Sequence, residues 1–343
     1  MINRLNHPAH LSNPVLDQKG GKSWEGGTPE RDVFQPDRGS GLKAELAFRE
    51  AARLMRAEQL EMAKGGESVS NFPNRNGYSQ DFLGKPLPLP QMDAAIRDKA
   101  APLIDQPDKF VLDYTNFSIV MNKERRQPIF TAANIDGSKL VDIPRDGEWT
   151  LDGRIRREHQ LGNEAYQSNP IDRGHMVRRS DPAWGPQAHQ ASNDTFAYTN
   201  AAMQHEALNQ KEWLELENHV LGTAKALGDK LTVMTGPVLR EDDPLFDNHG
   251  AIKPPTRMPM KFWKMVVWNS PKEGLKGAAF VLSQEDFVKG DLMKAEFKPD
   301  RFKVYQVPIQ KLEEMTHLRF GQIVNVTEES RELTAADGYR PTV

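Results

Sequence analysis

Asp172, Arg173, Gly174 and His175 stand side by side in the stretch NPIDRGHMVRRSDPAWG, with Arg178, Arg179 and Asp181 following and Trp184 just beyond. A buried core strand does not tolerate that density of charge, and a plain surface loop has no need of a glycine–histidine pair. Further on, Asn200 closes the strand-like segment DTFAYTN, and LNQKEWLELE carries Asn209, Trp213 and Glu217 at spacings of four. Strand, strand, helix, with a histidine on the first and an asparagine on the helix, suits metal-assisted cleavage of a phosphodiester. Water must then lose a proton near neutral pH, and histidine, with an ordinary pKa of ~6.5, fits that task. A cation is needed on the phosphate and the leaving oxygen, and magnesium acts there as a Lewis acid. Magnesium keeps most of its waters, so one or two protein oxygens suffice to hold it. A single asparagine carbonyl is therefore a sufficient anchor in a chain without a DxD-type carboxylate cluster.

Helix geometry divides the labour. Asn209 and Glu217 lie on nearly one face, but eight residues at a rise of ~1.5 Å separate them by about 12 Å. Both cannot easily touch one ion, so Glu217 is expected to act on a metal-bound water or to orient a neighbour. Each residue also has a plainer reading. DRGH alone could be a capped turn, with Gly174 supplying a positive φ. Asn200 and Asn209 could be caps, and Glu217 an exposed helix charge. Trp213 is read as core or site wall and Trp184 as packing. Arg178 and Arg179 are read as phosphate contacts. His159, His189, His205, His219 and His249 form no defensible metal cluster.

The elements that must position these residues come from a chain of 343 residues, 38% hydrophobic and 27% charged, with a formal net charge of -3 and no cysteine. That excludes disulfides and thiolate zinc sites, and argues against a surface that is basic throughout. No apolar run approaches the ~20 residues of a membrane helix. The amino-terminal stretch lacks an apolar signal core, so a cytoplasmic protein is expected, with export by a specialised machine left open. Residues 1–80 read as an arm: a polar, Gly/Pro-rich segment, an amphipathic helix over 42–64 and a Pro-punctuated linker. Residues 81–320 read as the compact domain, with strands at NFSIVMN, QPIFTAANI, KLTVMTGPV, FWKMVVWN and GAAFVLSQ, the first two joined as a hairpin by KERR. Helical signals fall at 209–227 and 308–315, and residues 321–343 read as a peripheral tail. Strands in hairpins with grouped helices predict an α+β fold with a mainly antiparallel sheet.

With these motifs in order, the chain resembles the DNA/RNA non-specific endonuclease family, the endonuclease G-like branch of the ββα-metal (His-Me finger) nucleases. DRGH matches its signature, YTNAAMQ its second strand and LNQKEWLELE its helix. The resemblance implies His175 as general base with Arg173 beside it, Asn200 as an active-site asparagine, Asn209 as metal ligand and Glu217 at the glutamate position. RDGEWTLD puts Arg145 at the phosphate-binding arginine, with Arg154, Arg156 and Arg157 competing for that role. The expected protein is a magnesium-dependent endonuclease, with manganese as a substitute, that cuts DNA and RNA and leaves a 5′-phosphate. The alternative is an inactive nucleic-acid-binding scaffold on the same fold. A nonspecific nuclease must be restrained in its own cell. A delivered toxin with an immunity protein, or an antiviral defence effector with a sensor, answers that need, with partner or self-association contacts expected in the arm.

Overall fold

The computed structural model describes residues 49, 50, 53, 68–209, 212–227, 229–285, 304–326 and 329–333. The chain divides into two compact units, Met1–Glu45 and Leu46–Val343, and every described residue belongs to the second. The expected helix over 42–64 lies outside the described residues except for Arg49, Glu50 and Arg53, which are helical.

Long apolar runs make the centre. Phe117–Asn122, Gln127–Asp136, Lys230–Val238, Lys261–Ser270 and Gly274–Ser283 join Val111–Tyr114, Val304–Val307 and Arg331–Leu333 in one sheet. With Val324–Asn325 added beside Gly274–Ser283, it has nine strands among the described residues. All neighbours are antiparallel except that last short pairing. The central strands are apolar on both faces because both faces are covered. Trp263, Met265 and Val267 pack with Ile309 and Leu312 of the helix Ile309–Thr316. Phe262, Val266 and Phe280 pack with Leu216, Val220 and Ala224 of the helix Glu212–Leu227. Each Val, Leu, Ile, Phe or Met among them, when fully buried, contributes about 1.5–3 kcal/mol. That second layer fixes the helix that carries Glu217.

The sequence-based boundaries shift at both ends. The body already includes Ser68–Ser70, which pairs in parallel with Thr150–Asp152. Phe72 is buried against Tyr114, and Arg75 forms an ion pair with Asp194 at 2.7 Å. The segment from 68 to 80, read above as linker, is thus stitched to the core by contacts that its proline and glycine content does not announce. After Phe320, Val324–Asn325 and Arg331–Leu333 pair with sheet strands rather than trailing off, supplying hydrogen bonds to otherwise bare strand backbone.

Candidate active site

A hairpin and two helices build the site. Ile171–His175 pairs antiparallel with Ala201–His205, and the chain passes directly into the short helix Glu206–Asn209 and then Glu212–Leu227. The second strand therefore follows Asn200, whereas the sequence suggested a strand ending there; Tyr198–Asn200 is a single 3-10 turn. Ile171, Ala201 and Met203 anchor the hairpin in a separate apolar cluster with Leu151, Tyr166, Tyr198 and Met258. Gly174 lies in the strand, not at a positive φ, so the capped-turn reading fails. Its reason is space: a Cβ there would stand 2.0 Å from Oε1 of Gln204, which crosses over it.

A cavity of about 650 Å³ opens over this unit, lined by Arg145, Trp149, Asp172, Arg173, His175, Arg178, Arg179, Asn209 and Glu217 among others. His175 packs against Trp149 at 4.9 Å between ring centroids and edge-on to Phe196 at 5.2 Å. Its Nε2 is buried without a hydrogen-bond partner among the described residues. Burial, followed by the positive charges of Arg145 and Arg179, pushes the imidazole down to about 3. Asn209 donates from Nδ2 to Asp172 Oδ2 at 2.9 Å, which turns its amide oxygen away from that carboxylate. Glu217 is nearly buried, with Oε1 3.3 Å from the ammonium of Lys264 and Oε2 3.8 Å from Nε of Arg178.

The arginines separate by their partners. Of the four candidates for the phosphate position, Arg145 lines the cavity, its guanidinium over the ring of Phe196 at 5.9 Å. Arg154 is bound to Asp152, and its guanidinium lies 4.7 Å from the centre of the Tyr114 ring. Arg156 pairs with Glu158 and Arg157 with Glu164. Arg179 lines the cavity too, but its Nη1 donates to the carbonyl of Ile143 at 2.5 Å, so it also staples the loop that brings Arg145 in. Arg178 donates to Asn218 Oδ1 at 2.6 Å. Arg173 reaches the cavity wall inside an aromatic cage of Trp149, Tyr166 and Tyr198 and donates to Asn163.

Asn200 is not brought into the cavity. Fully buried, it accepts from Val177 N–H at 2.9 Å and donates to the carbonyls of Val177 and Thr195 at 2.9 and 3.0 Å. It braces the chain just after His175. Trp184 donates to the carbonyl of Asn134 at 2.7 Å and packs on Phe82, as its packing reading requires. The side chains of Trp213 and His219 lie outside the described residues. Lys264 and Asp181 do not line the cavity but couple to Glu217, which does, a link that no sequence spacing shows. Asp181 is buried and pushed up to about 7 by desolvation, against the lowering charge of Lys264. The signal for Lys264 was available: it is the one charge in the apolar run FWKMVVW.

The donors fit a hydrated hard cation. Asn209, Asp172 and Glu217 offer only oxygen, and among the described residues no three His, Asp or Glu side chains form a closed cage. Magnesium, which keeps several waters and takes one or two protein oxygens, is served by that set; zinc in a closed nitrogen and sulfur site is not.

The hairpin and helices thus form a ββα unit with a cavity-facing histidine, an asparagine after the second strand and an arginine-rich rim. The chain belongs to the DNA/RNA non-specific endonuclease family, whose model matches residues 102–327. It is 31% identical over 344 residues to an uncharacterised protein, y4fB, of Sinorhizobium fredii, covering 95% of this chain and 48% of that one. Human mitochondrial endonuclease G is 24% identical over 196 residues, 56% of this chain and 61% of the relative. The chain thus spans about half to three-fifths of these two relatives. Among solved structures, a chain of the EndoG/EndoGI complex aligns with a TM-score of 0.48 at 19% identity, covering 62% of this chain and 85% of the other. Among the described residues, no helix is long and apolar enough to cross a membrane.

Proposed function

We propose that the protein is a magnesium-dependent endonuclease that hydrolyses phosphodiester bonds in DNA and RNA without base specificity. One observation supports this reading: His175, Arg145, Asn209 and Glu217, far apart in sequence, line one cavity, and the histidine there has a buried ring nitrogen without a partner among the described residues. Asn209, turned by its bond to Asp172, would hold the magnesium, which when bound supplies Lewis-acid stabilisation of charge on the phosphate and leaving oxygen. His175 takes a proton from the attacking water. Arg145 binds the phosphate, and Arg178 and Arg179 add positive potential along its approach. Arg173, caged by aromatics, fixes the wall beside the histidine and adds charge there. Burial is the larger cause that holds the His175 pKa down; a phosphate between Arg145 and Arg179 offsets the smaller one, the arginine charges, and so moves the base upward. The cavity is rimmed by phosphate-directed cations, which suits backbone-directed cutting. Manganese serves in place of magnesium, and the product carries a 5′-phosphate.

Plasmid degradation with magnesium, with EDTA, and with His175→Ala tests the reading. Cleavage that needs both the metal and His175 supports it. Binding without cleavage under every condition would replace it with an inactive nucleic-acid-binding protein. We further propose that such an activity is held in check by an inhibitory or sensor partner, in a toxin or defence setting. Co-purification of the full chain with a protein that suppresses plasmid cleavage is the corresponding test.

A further inference from the structure

Lys264 occupies a position where a sheet does not ordinarily tolerate a charge. Alternation along Lys261–Ser270 puts Phe262, Lys264 and Val266 on the face covered by the helix Glu212–Leu227. Around it, Phe262, Val266, Phe280, Leu216 and Val220 form buried hydrocarbon, and Lys264 itself is 1% exposed. An ammonium in such a layer persists only where it is paired. Its Nζ lies 3.3 Å from Glu217 Oε1 and 3.3 Å from the hydroxyl of Thr235, its register partner on the next strand. Glu217 lines the cavity and Lys264 does not. The lysine meets the cavity lining through the glutamate, and its charge also acts on the buried Asp181.

We propose that Lys264 is a positioning residue: from the floor of the sheet it grips one oxygen of Glu217 and so aims the other, beside Arg178, at the cavity. The inference rests on the magnesium-dependent reading above and deepens it. A glutamate on a helix has several rotamers, and a charge fixed in a strand that is hydrogen-bonded on both sides selects one of them. The stability gained from a buried pair of this kind is small, because desolvation opposes it. Orientation of a group at the cavity is a better reason to keep a lysine in hydrocarbon.

A double-mutant cycle on the full chain decides it, using wild type, Lys264→Met, Glu217→Gln and the double variant. Magnesium binding is measured by calorimetry on metal-free protein without DNA, alongside kcat, KM and melting temperature. Loss of an outer partner of this kind typically costs about 10–100-fold, so Lys264→Met should lower kcat by that factor with KM for DNA within about twofold. It should also weaken magnesium binding, and both losses should vanish in the Glu217→Gln background. Melting should drop in Lys264→Met, where a buried carboxylate has lost its partner, and recover in the double variant. Equal losses in both backgrounds, or a raised KM at unchanged kcat, overturn the proposal. Should Lys264→Met not fold, Glu217→Gln and the double variant carry the decision: identical values support it and a further loss refutes it. A wild type that binds magnesium yet cuts nothing sinks the nuclease reading, while the calorimetric cycle still decides the role of Lys264.

Discussion

Asn209 donates from its amide nitrogen to Asp172 Oδ2 at 2.9 Å, joining the end of the short helix to the first charged residue of the histidine strand. The bond fixes which way the amide faces, nitrogen to the carboxylate and oxygen away from it. Asn209→Ala should therefore raise the magnesium concentration needed for half-maximal cleavage, with partial recovery at high metal. A metal titration of the cleavage rate checks this, and an unchanged titration curve would remove Asn209 as the ligand.

His175→Ala should cut turnover by about a hundred- to ten-thousand-fold while folding and DNA binding persist, since it removes a base and no phosphate contact. Single-turnover cleavage and a filter-binding assay on the same preparation separate the two. Near-normal turnover in the variant would sink the assigned chemistry.

The pH profile carries a signed expectation. Neutral imidazole accepts a proton and imidazolium does not, so activity is retained above the pKa of His175 and lost as pH falls through it. Burial and the neighbouring arginines push that pKa down to about 3 in the free protein. Bound phosphate offsets the arginine charges and raises it. The acid limb of kcat, which reports the complex, should thus lie at higher pH than that of kcat/KM, which reports the free protein. Two limbs coinciding near the ordinary ~6.5 would mean a solvated histidine instead.

Arg145 and Arg154 should fail in different ways. Arg145→Ala should lower cleavage at unchanged melting temperature, because its guanidinium faces the cavity. Arg154→Ala strands Asp152, 0% exposed and bonded also to the Tyr114 hydroxyl, and should cost about 3–5 kcal/mol of stability. Denaturant melts together with rate measurements distinguish them; reversed phenotypes would reassign the phosphate arginine.

The amino-terminal boundary can be tested by two deletions. Removing residues 1–80 takes away the strand Ser68–Ser70, buried Phe72 and the forked pair of Arg75 with Asp194, whose carboxylate also accepts from Thr115. That deletion should be unstable, losing at least the ~3–5 kcal/mol of a broken buried pair. Removing only residues 1–67 leaves all those contacts in place and should keep a folded, active body. Equal stability of the two truncations would return the 68–80 segment to the status of a linker.

The sequence by itself determined the chemistry on offer and the class of fold. DRGH, the two asparagines and the glutamate are local patterns, and alternating apolar runs encode antiparallel strands within a few residues of chain. What only the tertiary structure decided was which side chains share a space. Arg145, Arg154, Arg156 and Arg157 are equivalent as letters, and in the fold Arg145 lines the cavity while the other three pair with Asp152, Glu158 and Glu164 away from it. Asn200 looks as catalytic as Asn209 until its amide is found spent on the backbone of Val177 and Thr195. Lys264 meets Glu217 across 47 residues of chain, through a sheet register and a helix packing that no local spacing records. Residue type and short-range period fix what a group can do, but the direction in which it points depends on contacts between segments that approach only when the core has formed.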